Sequence, residues 1–262
     1  MSARVPARPR EGAPVLGSFI DAVSWDDAVG RLVQWGERRE SRYVCICNVH
    51  SVVTATQDAA FRTVLDEADM ATPDGAPVAW ALRRAGFAGQ ERINGPDLMW
   101  RYLAEAERRG QVVFFYGGTE DTLAKLQASL LRAFPRLRIG GLVSPPFRPL
   151  SAEEDEAYAR QINAAGTAVL FVGIGCPKQE KWMAAHRGRI QAVMVGVGAA
   201  FDYHAGTIRR APTWMQRCGL EWFHRLLSEP RRLWKRYLVT NSIFVMRMLP
   251  WLLSRRPVAR NR

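Results

Sequence analysis

The chain has 262 residues, 48% of them hydrophobic and 24% charged. That balance excludes a disordered or fibrous protein and provides for a sizeable buried core. The formal net charge of +12 calls for an anionic partner such as nucleic acid, an acidic membrane or a phosphorylated ligand. The excess is local. From His204 to Arg262 the balance is +11, with Glu221 and Glu229 the only acids, while the first 203 residues stand at +1.

Met1 to Pro14 is rich in Arg and Pro and lacks the apolar segment of a signal peptide, so residues 1–14 are expected to be disordered. Leu16 to Ile20 reads as a short strand. Ser24 opens a helix to about Arg39 with a capping-box pattern. Tyr43 to Cys47 is an apolar, β-prone run, and Asn48-Val49-His50-Ser51 begins the next helix. Cys45-x-Cys47 on a strand places both thiols on one face; with Cys176 and Cys218 they show no zinc-knuckle spacing and are expected to be reduced, structural thiols of a cytosolic protein. Asp58 to Ala68 is helical, and Ala68 to Ala71 reads as a short buried strand.

The turn Ala71-Thr72-Pro73-Asp74-Gly75 follows, then a helix from Ala76 to Arg84. An Asp between Pro and Gly belongs to a turn. Asp74 thus falls at a strand's carboxyl end beside a helix start, where ligands bind in open α/β sheets. Taken locally, a helix-capping Asp in a common Pro-Asp-Gly turn is the reading that comes first.

Pro96 starts a helix that Gly110 ends. Val112–Tyr116, Leu137–Val143, Ala168–Val172 and Ala192–Val195 are strands, separated by helices over Thr119–Phe134, Ser151–Ala165 and up to Arg187. Strands alternating with helices predict a parallel sheet with right-handed crossovers, an α/β Rossmann-like core over about 15–205. Three strands end in glycines: Gly117-Gly118, Gly173-x-Gly175 and Gly196-x-Gly198. None completes a dinucleotide fingerprint, but their backbone amides at helix starts suit a diphosphate.

Residues 206–262 form a basic helical appendage. One helix follows Thr213 and carries Trp214 and Trp222; Pro230 breaks it, and a second runs from Arg231 to about Met248. Asn241, Arg247 and Pro250 interrupt the apolar run after Tyr237, so it falls short of a membrane span. Trp, Phe and Leu mixed with Arg and Lys suit an anionic membrane surface better than nucleic acid.

Taken together, several blocks resemble one family. They are Asn48-Val49-His50, Thr72-Pro73-Asp74-Gly75, Arg92-x-Asn94-Gly95-x-Asp97-Leu98, Gly175-Cys176-Pro177-Lys178-Gln179-Glu180, Gly196-Val197-Gly198-x-x-Phe201-Asp202 and Arg210-Ala211-Pro212-x-Trp214-Met215. Gly219-Leu220-Glu221-Trp222 with Glu229-Pro230-Arg231-Arg232-Leu233 completes the set. The chain is similar over about 15–245 to the WecG/TagA/CpsF glycosyltransferases (glycosyltransferase family 26), exopolysaccharide-type members included. The resemblance implies a compact Rossmann-like (GT-E type) fold with a C-terminal appendage near the site. It implies inverting transfer of N-acetylmannosamine, its uronic acid or glucose from a UDP-sugar to a polyprenyl-diphosphate-linked sugar, in cell-surface polysaccharide synthesis on the cytoplasmic face of the membrane. Asp74 matches the family's base. Ile46 stands where the family often has Thr, so the sugar contact made there differs.

An inverting transfer needs a base and stabilisation of the leaving diphosphate. The chain has no Asp-x-Asp, so no metal or other cofactor is expected, and Arg92, with Arg225 and Arg232 of the appendage, is expected to meet that charge. Expected substrate contacts are Asn48, His50, Thr72, Asn94, Asp97, Gly117, Gly118, Gly173, Gly175, Lys178, Gln179 and Asp202. Arg92 as a structural ion pair, Lys178 as a helix-start charge and His50 as a packed core histidine are the plain alternatives. The expected partners are a UDP-sugar, the lipid-linked acceptor, an anionic membrane and, as an open option, a second copy of the chain; nucleic acid is not expected. The rival function is a Rossmann-type nucleotide-sugar or NAD-linked oxidoreductase, which would require the complete glycine fingerprint.

Overall fold

The structure is a computed structural model that describes residues 10–253; of Arg217, Arg232 and residues 250–253 it describes the backbone alone. A hairpin opens it, β1 (Gly12–Val15) against β2 (Ser18–Asp21). The expected single strand over Leu16–Ile20 is therefore two strands turning at Leu16 and Gly17, both at positive φ. Residues 10–14, expected to be disordered, are tied to the body instead: Gly12–Pro14 pair with β2, and Arg10 pairs with the buried Asp21 at 2.7 Å. Asp21 in turn accepts the Ala71 N–H at 2.6 Å. Residues 1–9 lie outside the described part.

The main sheet has six strands, β3 (Arg42–Cys47), β4 (Met70–Pro73), β5 (Val112–Gly117), β6 (Arg138–Val143), β7 (Val169–Gly173) and β8 (Val193–Gly196). Their order is β4-β3-β8-β7-β5-β6, every neighbouring pair parallel. This is the α/β sheet predicted from the alternation of strands and helices. β4 runs two residues further than expected, through Pro73. It is an edge strand, where a residue without an N–H is tolerated.

Period-two alternation sorts the two layers. Tyr43, Cys45, Cys47, Phe114, Tyr116, Leu170 and Met194 face one helical layer. It holds α2 (Val49–Ala55), α3 (Ala59–Asp66), α4 (Ala76–Arg84), α7 (Ala152–Ala164) and α8 (Lys178–Ala185). Val44, Ile46, Val113, Phe115, Phe171 and Val195 face the other, formed by α1 (Trp25–Glu37), α5 (Gly95–Arg109), α6 (Glu120–Ala133) and α9 (Ala200–Ala205). The α9 turn was not expected; it forms where Gly198 leaves β8.

The appendage comprises α10 (Thr213–Arg217), α11 (Glu221–Ser228) and α12 (Pro230–Leu253). The expected single helix after Thr213 is two, divided at Gly219 with φ +73°. Buried Leu233, Phe244 and Met248 point from α12 into the molecule, and the last two join the core layer of α2 and α3. The appendage thus shares a core with the body rather than hanging beside it. Trp234, Leu238, Val245, Met246 and Leu249 are left exposed on α12. No helix among the described residues is long and apolar enough to cross a membrane.

Candidate active site

The chain leaves β3 toward one sheet edge and β5 toward the other, so a crevice opens above the carboxyl ends of the strands between them. A cleft of about 1560 Å³ occupies that place. Asn48 and His50 line it from the start of α2; Gly118, Gly173 and Gly175 from the glycine turns; Lys178 and Gln179 from α8; Asp202 from α9. Asp74, Arg92 and Asn94 line it beyond the β4 edge, and Arg225 from α11.

Local chemistry sets several of these residues. Asn48 caps α2 by accepting the Ser51 N–H at 3.2 Å, and Asn94 caps α5 by accepting that of Asp97 at 3.0 Å. The Asp74 N–H bonds the Cys47 carbonyl at 2.9 Å, carrying the β3–β4 ladder one step past the strand end. Gly75, at φ +90°, then turns the chain into α4. The local capping alternative for Asp74 does not hold: Gly75 occupies that position, and no side chain caps α4.

Three expected contacts do not reach the cleft. Thr72 is fully buried, and its hydroxyl bonds the Ile93 carbonyl at 3.3 Å, supporting the segment that carries Arg92. Asp97 is turned to Arg210 at 2.8 Å and to Asn94 at 2.7 Å. Gly117 packs on the backbone of Gly173, its strand partner. Gln179 lines the cleft, but its amide braces the β8 turn: Oε1 accepts the Gly198 N–H at 3.2 Å and Nε2 donates to Glu180 at 2.9 Å. The Arg232 side chain lies outside the described residues.

Asp74 and Arg92 form an ion pair, Arg92 Nε to Asp74 Oδ1 at 3.1 Å, each side chain about one-fifth exposed. The second arm of Arg92 bonds Glu221 of α11. Burial pushes the Asp74 carboxyl above the usual carboxylate range, and the negative Glu221 adds to it, against the opposing pull of Arg92. Burial alone would lower Arg92, but the two carboxylates outweigh it and hold the guanidinium charged. His50 is pushed down to about 4, chiefly by burial and then by the positive Arg236, so it is neutral at pH 7. Arg225 lies 5.8 Å from the Tyr203 ring and pairs with Glu229 at 3.5 Å.

Sequence reasoning missed Glu221, Arg210, Tyr203 and Tyr237 as neighbours of the Asp74–Arg92 pair. One signal was present for Glu221, an acid in a segment with a balance of +11. No group of three His, Cys, Asp or Glu among the described residues is arranged to hold a metal.

The family model for the glycosyl transferase WecG/TagA/CpsF family matches residues 13–258. Two curated relatives, from Bacillus spizizenii (strain W23) and Bacillus subtilis (strain 168), each carry the name N-acetylglucosaminyldiphosphoundecaprenol N-acetyl-beta-D-mannosaminyltransferase. The first is 32% identical over 203 residues, 77% of this chain and 77% of the relative. The second is 32% identical over 224 residues, 85% of this chain and 82% of the relative. On the match over residues 13–258 and on these two relatives, the chain belongs to the WecG/TagA/CpsF family of glycosyltransferases.

Proposed function

We propose that the enzyme moves N-acetylmannosamine from its UDP-sugar to a polyprenyl-diphosphate-linked sugar, inverting the anomeric centre, with Asp74 as general base. The observation that carries this reading is the Asp74–Arg92 pair, a carboxylate of raised pKa and a cation together at the cleft's edge. Asp74 takes the proton of the acceptor hydroxyl as its oxygen bonds the anomeric carbon. The bond from that carbon to the donor diphosphate breaks, and its electron pair leaves with UDP. Arg92, Arg225 and the amides of the glycine turns meet the charge that develops there, so no metal ion is needed. Two relatives named for N-acetylmannosaminyl transfer support the sugar. Ile46, which lines the cleft, keeps the uronic acid and glucose in the comparison.

The exposed apolar side of α12, with Arg231, Lys235 and Arg247 exposed on the same helix, supports docking on an anionic membrane surface where the lipid acceptor resides. The test is a panel of UDP-sugars offered with a short-chain lipid-diphosphate sugar acceptor. Transfer from UDP-N-acetylmannosamine, with the product's anomeric configuration opposite to the donor's, is expected. A preference for another donor refutes the sugar, and retention of configuration refutes the single-displacement chemistry.

A further inference from the structure

The appendage reaches the partner of the reactive carboxyl, Arg92, through Glu221. Glu221 opens α11 and is 12% exposed. One of its oxygens accepts from Arg92; the other lies 3.7 Å from Nε of Arg210. Arg210 is itself fixed on Asp97. Arg92 is therefore shared by two carboxylates, Asp74 from the β4 edge and Glu221 from the appendage. A guanidinium facing one carboxylate alone settles into a bidentate fork that occupies both of its oxygens. Here a single arm, Nε, reaches Asp74, on Oδ1. No other side chain among the described residues donates to Asp74, whose carboxylate also takes the Gly75 backbone N–H; Oδ2 is thus not tied into a fork with Arg92 and can face an incoming hydroxyl.

We propose that Glu221 is a positioning residue for the transfer: by holding the second arm of Arg92, it keeps Asp74 out of a bidentate ion pair and leaves one carboxylate oxygen free for the acceptor hydroxyl. The inference rests on the reading of Asp74 as the base. It also gives the appendage a chemical part beyond supplying cations. Docking of α11 determines whether Arg92 quenches the base or stands beside it.

The electrostatic surroundings favour the same arrangement. Asp74 is faced by Arg92 from the segment before α5, by Glu221 from α11, by Tyr203 from α9 and by Tyr237 from α12. Arg225 stands over Tyr203, Arg210 behind Glu221, and His50 of α2 lines the same cleft. Removing the Glu221 charge takes away a negative neighbour and returns Arg92 to Asp74. Both changes lower the Asp74 pKa and weaken it as a base.

The test uses the full chain with Glu221→Gln, a UDP-sugar and a short-chain acceptor, following kcat and kcat/KM against pH beside thermal unfolding. The expected result is a folded variant whose kcat is down by about tenfold and whose acidic limb of kcat/KM lies about one pH unit lower. Wild-type turnover with an unmoved limb overturns the proposal. So does lower turnover with an unmoved limb, which would make Glu221 only a docking contact. Should Glu221→Gln fail to fold, Glu221→Ala carries the same test: with the arm of Arg92 released, the acidic limb must again lie lower, and an unmoved limb overturns the proposal. Asp74→Asn is assayed alongside. If it keeps its turnover, the base assignment itself fails; if it is inactive while Glu221→Gln behaves as wild type, only the role of Glu221 fails.

Discussion

Phe244→Ala tests whether the appendage and the body unfold as one unit. Phe244 is 7% exposed, and with Met248 it sits in the core layer formed by α2, α3 and α8. Truncating a buried Phe to Ala costs about 3 kcal/mol at the low end of the usual range, which suits a site near the surface. For a chain of this size each kcal/mol moves Tm by about 2–4 °C. If α12 belongs to the cooperative core, the main transition should drop by about 6–12 °C. Leu238→Ala, on the exposed side of the same helix at 61% exposure, is the control and should leave Tm within about 1 °C. The assay is calorimetric unfolding, with near-ultraviolet circular dichroism to follow the aromatic environment. A main transition unchanged by Phe244→Ala, with only a small early transition added, would show that α12 unfolds separately and would refute the shared-core reasoning.

Three further outcomes follow from the geometry. His50 is held near 4 against an ordinary value of about 6.5, so the unfolded chain binds its proton first, and stability falls as pH drops from about 6.5 to 4. In His50→Asn that part of the Tm decline should be smaller, and an unchanged decline would contradict the burial assigned to His50. Gly117→Ala places a Cβ 2.6 Å from the Gly173 backbone at φ +121°, whereas Gly110→Ala at φ +67° meets nothing within 4 Å. Gly117→Ala should therefore cost several kcal/mol and Gly110→Ala about 1 kcal/mol; equal Tm shifts would rule out the packed glycine pair. EDTA should leave transfer intact under the proposal that Arg92, Arg225 and backbone amides meet the diphosphate; activity lost to EDTA and restored by Mg²⁺ or Mn²⁺ would contradict that proposal.

Where the sequence carried local periodicity, the fold was legible. The β-prone apolar run Val112–Tyr116 closed by Gly117-Gly118 and the capping signals at Ser24, Thr119 and Ser151 placed elements to within a residue or two of their observed ends. The hairpin was missed because Pro14 and the short Gly12–Val15 run give no clear period, and because it is fixed by a distant pair, Arg10 with Asp21, whose partner in turn holds Ala71. The turn chemistry of Pro73-Asp74-Gly75 placed Asp74 at a strand end, and the structure brings Arg92 to it across 18 residues. Thr72 and Asp97 were read as ligand contacts because they stand inside motifs. Neighbourhood in a motif does not fix direction: one side chain turns under the Ile93 carbonyl and the other toward Arg210. For Glu221 the sequence offered only an acid in a basic segment; its partner could not be read there, because the contact comes from α11 folding back to Arg92 across 129 residues.

The central claim is that Asp74 removes the acceptor's proton, and Asp74→Asn tests it most directly. The amide is isosteric and keeps the Gly75 turn, so the variant should unfold near the wild-type temperature and bind UDP as the wild type does. It cannot accept the proton, so kcat for transfer to a short-chain lipid-diphosphate acceptor should fall by roughly 10²–10⁴-fold. A folded Asp74→Asn enzyme that turns over within a few-fold of wild type would contradict the assignment.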